Sequence, residues 1–96
     1  MWILIAYDVS TVEAEGRTRL RRIARICEGY GLRVQRSLFE VYADPATWVR
    51  IRGELLDVYA PTEDSLRFYH LGADSSTRTE CHGISPVLDL EAPLIY

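Results

Sequence analysis

The chain has 96 residues, 48% of them hydrophobic and 26% charged, with a net charge of −3. This is the composition of one ordinary globular domain, and it excludes disordered, collagenous and repeat classes. A domain of this size buries only about two-thirds of the surface its unfolded chain exposes, so a partner subunit is a natural source of further burial. No stretch approaches the roughly 20 apolar residues of a membrane span. The apolar opening Met1 to Ala6 is too short, and lacks the basic flank, for a secretory signal. The expectation is a soluble, intracellular protein with no membrane partner. Cys27 and Cys81 lack C-x-x-C spacing, which suits reduced thiols better than a disulfide framework.

The charge is split unevenly. Residues 1–52 carry nine arginines against six acids, a net +3, whereas residues 53–96 carry two against eight, a net −6. Every basic side chain is arginine. A forked, planar guanidinium matches phosphate oxygens better than an ammonium does, although a GC-rich genome also encodes arginine readily. The asymmetry points towards nucleic acid without establishing it.

In chain order, Trp2 to Val9 is a short, nearly unbroken apolar run that predicts a buried strand. Trp2, Leu4 and Ala6 would point to one face and Ile3, Ile5 and Tyr7 to the other, so both faces need cover, one from helices and the other from a second subunit. Ser10 and Glu13 stand at capping-box spacing ahead of a helix. Leu20, Ile23, Ala24, Cys27 and Tyr30 form that helix's apolar stripe, Arg17, Arg21, Arg22 and Arg25 an adjoining basic one, and Gly31 a C-terminal stop. Arg33 to Tyr42 reads as two strands pinched at Gln35-Arg36-Ser37, or as one bent strand. Asp44-Pro45 is an N-cap with proline at the first helical position. Trp48, Ile51, Leu55 and Tyr59 supply a second apolar stripe, which Pro61 closes. Asp64 to Leu71 reads as another strand ending at Gly72, and the tail ends in apolar Leu94-Ile95-Tyr96, a pattern of a last strand docked on something. The β-α-β-β-α-β order is that of the ferredoxin-like fold, here one α+β domain over residues 1–96 with an extra C-terminal strand.

Asp8 is the first candidate for chemistry, a lone carboxylate at the end of an apolar central strand, where charge needs compensation. It either caps the following turn through backbone amides or serves as an oxygen ligand for Mg²⁺, which takes one or two carboxylates and keeps several waters. A symmetric dimer would bring a second Asp8 to the axis if the strand end lies near it. The arginine stripe is the second candidate: only Glu13, Glu15 and Glu28 stand at partner spacing, so it is either a solvated face or a track for a phosphate backbone. His70, His82 and the cysteines lack zinc spacing, and no phosphate-binding glycine loop occurs.

Ile5-Ala6-Tyr7-Asp8-Val9, the arginine-rich helix and Tyr30-Gly31-Leu32-Arg33-Val34-Gln35-Arg36-Ser37-Leu38-Phe39-Glu40 together resemble the Cas-two family of the CRISPR adaptation machinery. Asp64-Ser65-Leu66-Arg67 through Leu71-Gly72 and the ending from Asp89 to Tyr96 resemble its type I-C subgroup, and Leu38 stands where the family's S-V-F-E motif has valine. The resemblance implies a cytoplasmic prokaryotic homodimer with sheets face to face and the segment from about residue 80 to 96 docked on the partner. It further implies Mg²⁺-dependent endonuclease activity on RNA or duplex DNA, with one ion shared by two Asp8 side chains at the dimer axis as catalytic and metal-binding group. Tyr7 and Phe39 match supporting motif positions, and Arg33 is the candidate phosphate contact beside Arg17, Arg21, Arg22 and Arg25. The implied role is spacer acquisition, the dimer bridging dimers of the Cas-one integrase on duplex DNA. An alternative within the same resemblance is a scaffold and ruler that cuts nothing.

Overall fold

The computed structural model describes residues 1–73 together with Glu80 and His82. The element order is β1 (Trp2–Asp8), α1 (Ala14–Tyr30), β2 (Gly31–Gln35), β3 (Leu38–Tyr42), α2 (Pro45–Val58) and β4 (Ser65–Gly72). The strands form one antiparallel sheet in the order β2-β3-β1-β4. This is the ferredoxin-like arrangement expected from the order of elements. The additional C-terminal strand lies outside the described residues.

Period-two alternation builds the core. Ile3, Ile5 and Tyr7 of β1 stand beside Phe39 and Val41 of β3, with Ile5 opposite Phe39 and Ile3 opposite Val41. All five are buried, and they pack with Ile23 and Cys27 of α1 and Trp48, Ile51, Leu55 and Val58 of α2. Both helices thus bury their predicted stripes on the same face of the sheet. Burial pushes the Cys27 thiol up to about 12, so it belongs to the core and not to chemistry. The other face of β1 has cover only in part: Leu4 and Ala6 are half-buried.

The β2–β3 stretch is two strands, paired with Gly31 opposite Val41 and Leu32 opposite Glu40. Asp44 caps α2 as predicted, its Oδ1 accepting the Thr47 N–H at 2.7 Å, with Pro45 following. One local expectation is corrected. The Ser10–Glu13 capping box does not form: α1 begins at Ala14, its N-cap is Glu13, and no side chain caps it. Ser10 is held elsewhere, by Asp64. Gly31 does end α1 as its C-cap, its N–H donating to the Cys27 carbonyl, in an extended conformation (φ −152°) that makes it the first residue of β2. Glycine is needed there because a Cβ would run into the Glu40 carbonyl oxygen and stand 2.7 Å from Val41 Cγ2.

Candidate nucleic-acid and metal site

Asp8 ends β1, opposite Ser65 of β4 in the register. Its side chain is exposed, so it is not the buried charge expected of a central-strand acid. Nor does it cap the turn that follows. That task falls to Asp64, whose place in the sequence suggests only the start of a strand. The Asp64 carboxylate has no exposed surface and accepts from the Ser10 N–H (3.2 Å), the Ala60 N–H (2.9 Å) and both Nε (2.8 Å) and Nη2 (3.1 Å) of Arg19. The Arg19 guanidinium, hydrogen-bonded to it, holds Asp64 below the usual carboxylate range. Among the described residues no hydrogen bond or ion pair occupies Asp8, and its oxygens face solvent.

An exposed carboxylate with free lone pairs fits the chemistry of Mg²⁺, a hard cation that keeps most of its water. It is one ligand only. Among the described residues no three His, Cys, Asp or Glu side chains gather as a metal-binding group.

Tyr7 and Phe39 lie in the core beneath this end of the sheet, with ring centroids 6.1 Å apart. The Tyr7 hydroxyl donates to the Arg36 carbonyl at 3.4 Å, and burial pushes its pKa up. Arg33 covers the Phe39 ring, its guanidinium carbon 4.8 Å from the centroid, and pairs with Glu28 at 2.7 Å. The guanidinium also donates to the Arg36 carbonyl, so a phosphate must compete with partners already in place.

The α1 arginines Arg17, Arg21, Arg22 and Arg25 are all exposed. They do not form one uniform stripe. Arg17, Arg21 and Arg25 follow one another at four-residue steps, whereas Arg22 and Arg25 border a groove of about 730 Å³ between α1 and α2 that also contains Glu54 and Asp57. Arg17 donates to the Thr11 carbonyl and Arg21 to the Thr18 hydroxyl, both exposed bonds to neutral groups. Among the described residues none of the three arginines in that four-residue spacing is ion-paired with an acid.

Sequence reasoning missed Arg19 and Asp64. A signal existed for Arg19: residues 19, 23 and 26 share the inward face of α1, and a guanidinium there needs a buried acid. Nothing local marks Asp64, 45 residues away.

The chain is a small ferredoxin-like domain with an exposed acid at a central strand end and an arginine-bearing first helix. The family model described as CRISPR associated protein Cas2 matches residues 1–79. A Rhodospirillum rubrum protein named CRISPR-associated endoribonuclease Cas2 3 is 50% identical over 93 residues, covering 97% of this chain and 98% of that protein. A Halalkalibacterium halodurans protein named CRISPR-associated endonuclease Cas2 is 43% identical over 96 residues, 100% of both chains. The crystal structure of Streptococcus pyogenes Cas2 superposes with a TM-score of 0.76 at 43% identity, covering 86% of this chain and 100% of that one. The chain belongs to the CRISPR-associated Cas2 family. Among the described residues no helix is long and apolar enough to cross a membrane.

Proposed function

We propose that the chain is a divalent-metal-dependent endonuclease acting on RNA or duplex DNA, working as a homodimer in CRISPR spacer acquisition. The observation that carries this reading is Asp8: a solvent-facing carboxylate, unengaged among the described residues, at the end of the central strand of a domain whose first helix presents arginines. Relatives carrying nuclease names support it. Two Asp8 side chains related by a two-fold axis would hold one Mg²⁺ that, when bound, polarises a phosphodiester and lowers the pKa of water. The chain's own contribution is to present the carboxylate and to hold the nucleic-acid backbone by Arg17, Arg21 and Arg25, with Arg33 available once Glu28 is displaced. The half-covered sheet face around Leu4 and Ala6 would be closed by the partner's sheet.

A second reading has a specific basis. Many metal-dependent phosphodiesterases gather two ions, whereas among the described residues no group of three acids or other ligands surrounds Asp8. The dimer then holds duplex DNA for the Cas-one integrase as scaffold and ruler. The deciding experiment compares Mg²⁺-dependent cleavage of duplex DNA and single-stranded RNA by wild type and Asp8→Ala, both confirmed as dimers. The nuclease reading expects cleavage to fall at least about 100-fold in the variant, on the order of a lost catalytic metal ligand. Equal cleavage, or none in either protein, leaves the scaffold.

A further inference from the structure

The nuclease reading leaves one part-buried cluster unused, the ion pair of Arg19 and Asp64, with the exposed Glu63 carboxylate 3.6 Å from Arg19 Nη2. The Asp64 carboxylate takes donors from three segments: the guanidinium from α1, the Ala60 N–H from the turn after α2, and the Ser10 N–H from the loop after β1. Two routes lead from it to Asp8. Ser10 lies two residues beyond Asp8 along the chain, and Ser65, next to Asp64, is the register partner of Asp8 in β4. The first turn of α1 closes the arrangement, because Gly16 packs on the Ser10 carbonyl with no room for a Cβ. With the Asp64 carboxylate fully withdrawn from solvent, the pair is a poor source of net stability, since desolvation offsets its attraction. What a bidentate guanidinium–carboxylate pair supplies is fixed geometry.

We propose that Arg19 and Asp64 are positioning residues for Asp8: their clamp holds the β1 end and the first turn of α1 in one arrangement, so that a divalent cation at Asp8 and a backbone on the α1 arginines are met in register. The inference rests on reading Asp8 as the cation ligand.

The test uses the full chain as wild type, Asp64→Asn, Arg19→Lys and, as a stability control, the core truncation Ile51→Val. Mn²⁺ titration, followed by paramagnetic broadening of the Asp8 and Val9 amide resonances, reads cation binding without turnover. Steady-state cleavage in Mg²⁺ separates kcat from KM. For Asp64→Asn the expected result is a rise of about tenfold or more in half-saturating Mn²⁺, the usual effect of removing support behind a metal ligand. A matching fall in kcat is expected, with KM for nucleic acid unchanged within about twofold. Arg19→Lys, which keeps the charge and loses the fork, should fall between Asp64→Asn and wild type, and it decides the question if Asp64→Asn does not fold. Ile51→Val should bind Mn²⁺ as wild type does. Unchanged Mn²⁺ binding in the clamp variants, or an equal loss in Ile51→Val, overturns the proposal. If wild type binds Mn²⁺ at Asp8 without cleaving, the nuclease reading falls and the broadening alone judges the clamp. If wild type shows no broadening at Asp8, both fall.

Discussion

Gly16 marks the tightest approach in the protein's functional end. Helix propensity favours alanine over glycine by about 1 kcal/mol in a helix, yet a Cβ here would overlap the backbone carbonyl of Ser10, which cannot swing aside as a flexible side chain would. Overpacking of this kind costs about 3 kcal/mol at the upper end of its usual range, so steric conflict wins. Gly16→Ala should therefore lower stability by about 2 kcal/mol, measured by urea denaturation; a stabilised variant would mean the loop moves freely. Glu40 carries the opposite kind of tension. Half-buried on the open sheet face between Leu4 and Leu32, it has its pKa raised by burial alone. A raised carboxyl pKa means the folded state holds the proton more readily than the unfolded chain. Ionised Glu40 thus costs stability above its raised pKa, and the cost disappears as pH falls towards the ordinary glutamate value of about 4.3. Glu40→Gln should melt higher than wild type at pH 7, by about 1 kcal/mol or roughly 4–8 °C, and the gap should close as pH falls from about 7 to about 4. A lower melting temperature at pH 7 would reveal a cation reaching Glu40 in the assembled protein.

At the scale of elements, α1 divides its work by face. Ile23 and Cys27 are wholly buried against the sheet, Arg19 reaches inward to Asp64, and Arg17, Arg21 and Arg25 project outward. The outward arginines neutralise phosphates if α1 is the nucleic-acid surface. Arg21→Glu with Arg25→Glu should then weaken duplex binding and reduce the slope of log affinity against log salt by about 2, at roughly 0.9 for each phosphate left without its arginine. An unchanged slope in fluorescence titrations would remove this helix from the interface. The helix stripes, the Asp44 cap and the hairpin were legible in the sequence because each depends on residues within a turn or two of one another. The start of α1 was not. Ser10-x-x-Glu13 has a cap's spacing, in which the Ser10 amide would donate to the Glu13 carboxylate, but that amide donates instead to Asp64, a carboxylate already fixed in place by Arg19 and the Ala60 N–H.

For the whole molecule, the sheet presents unequal faces. One is sealed by both helices; the other leaves Leu4, Ala6 and Leu38 half-buried and Tyr42 42% exposed, an apolar surface suited to a second copy of the same sheet. Leu4→Glu should leave the protomer folded while shifting sedimentation towards monomer. Losing about half a leucine's full burial in each copy, near ~1.4 kcal/mol apiece, amounts to about 100-fold in the dissociation constant. An unaltered dimer would place the interface elsewhere. What the sequence alone determined is the order of elements, their inward faces, the acid at the end of the first strand, and the family, since periodicity, capping and motif spacing are properties of neighbouring residues. Only the tertiary structure decided that Asp8 is exposed, that Asp64 and Arg19 clamp the loop behind it, and that Glu28 already engages Arg33. Exposure and the choice of ion-pair partner depend on which distant segments folding brings together, and a carboxylate has the same letter whether water or a guanidinium surrounds it.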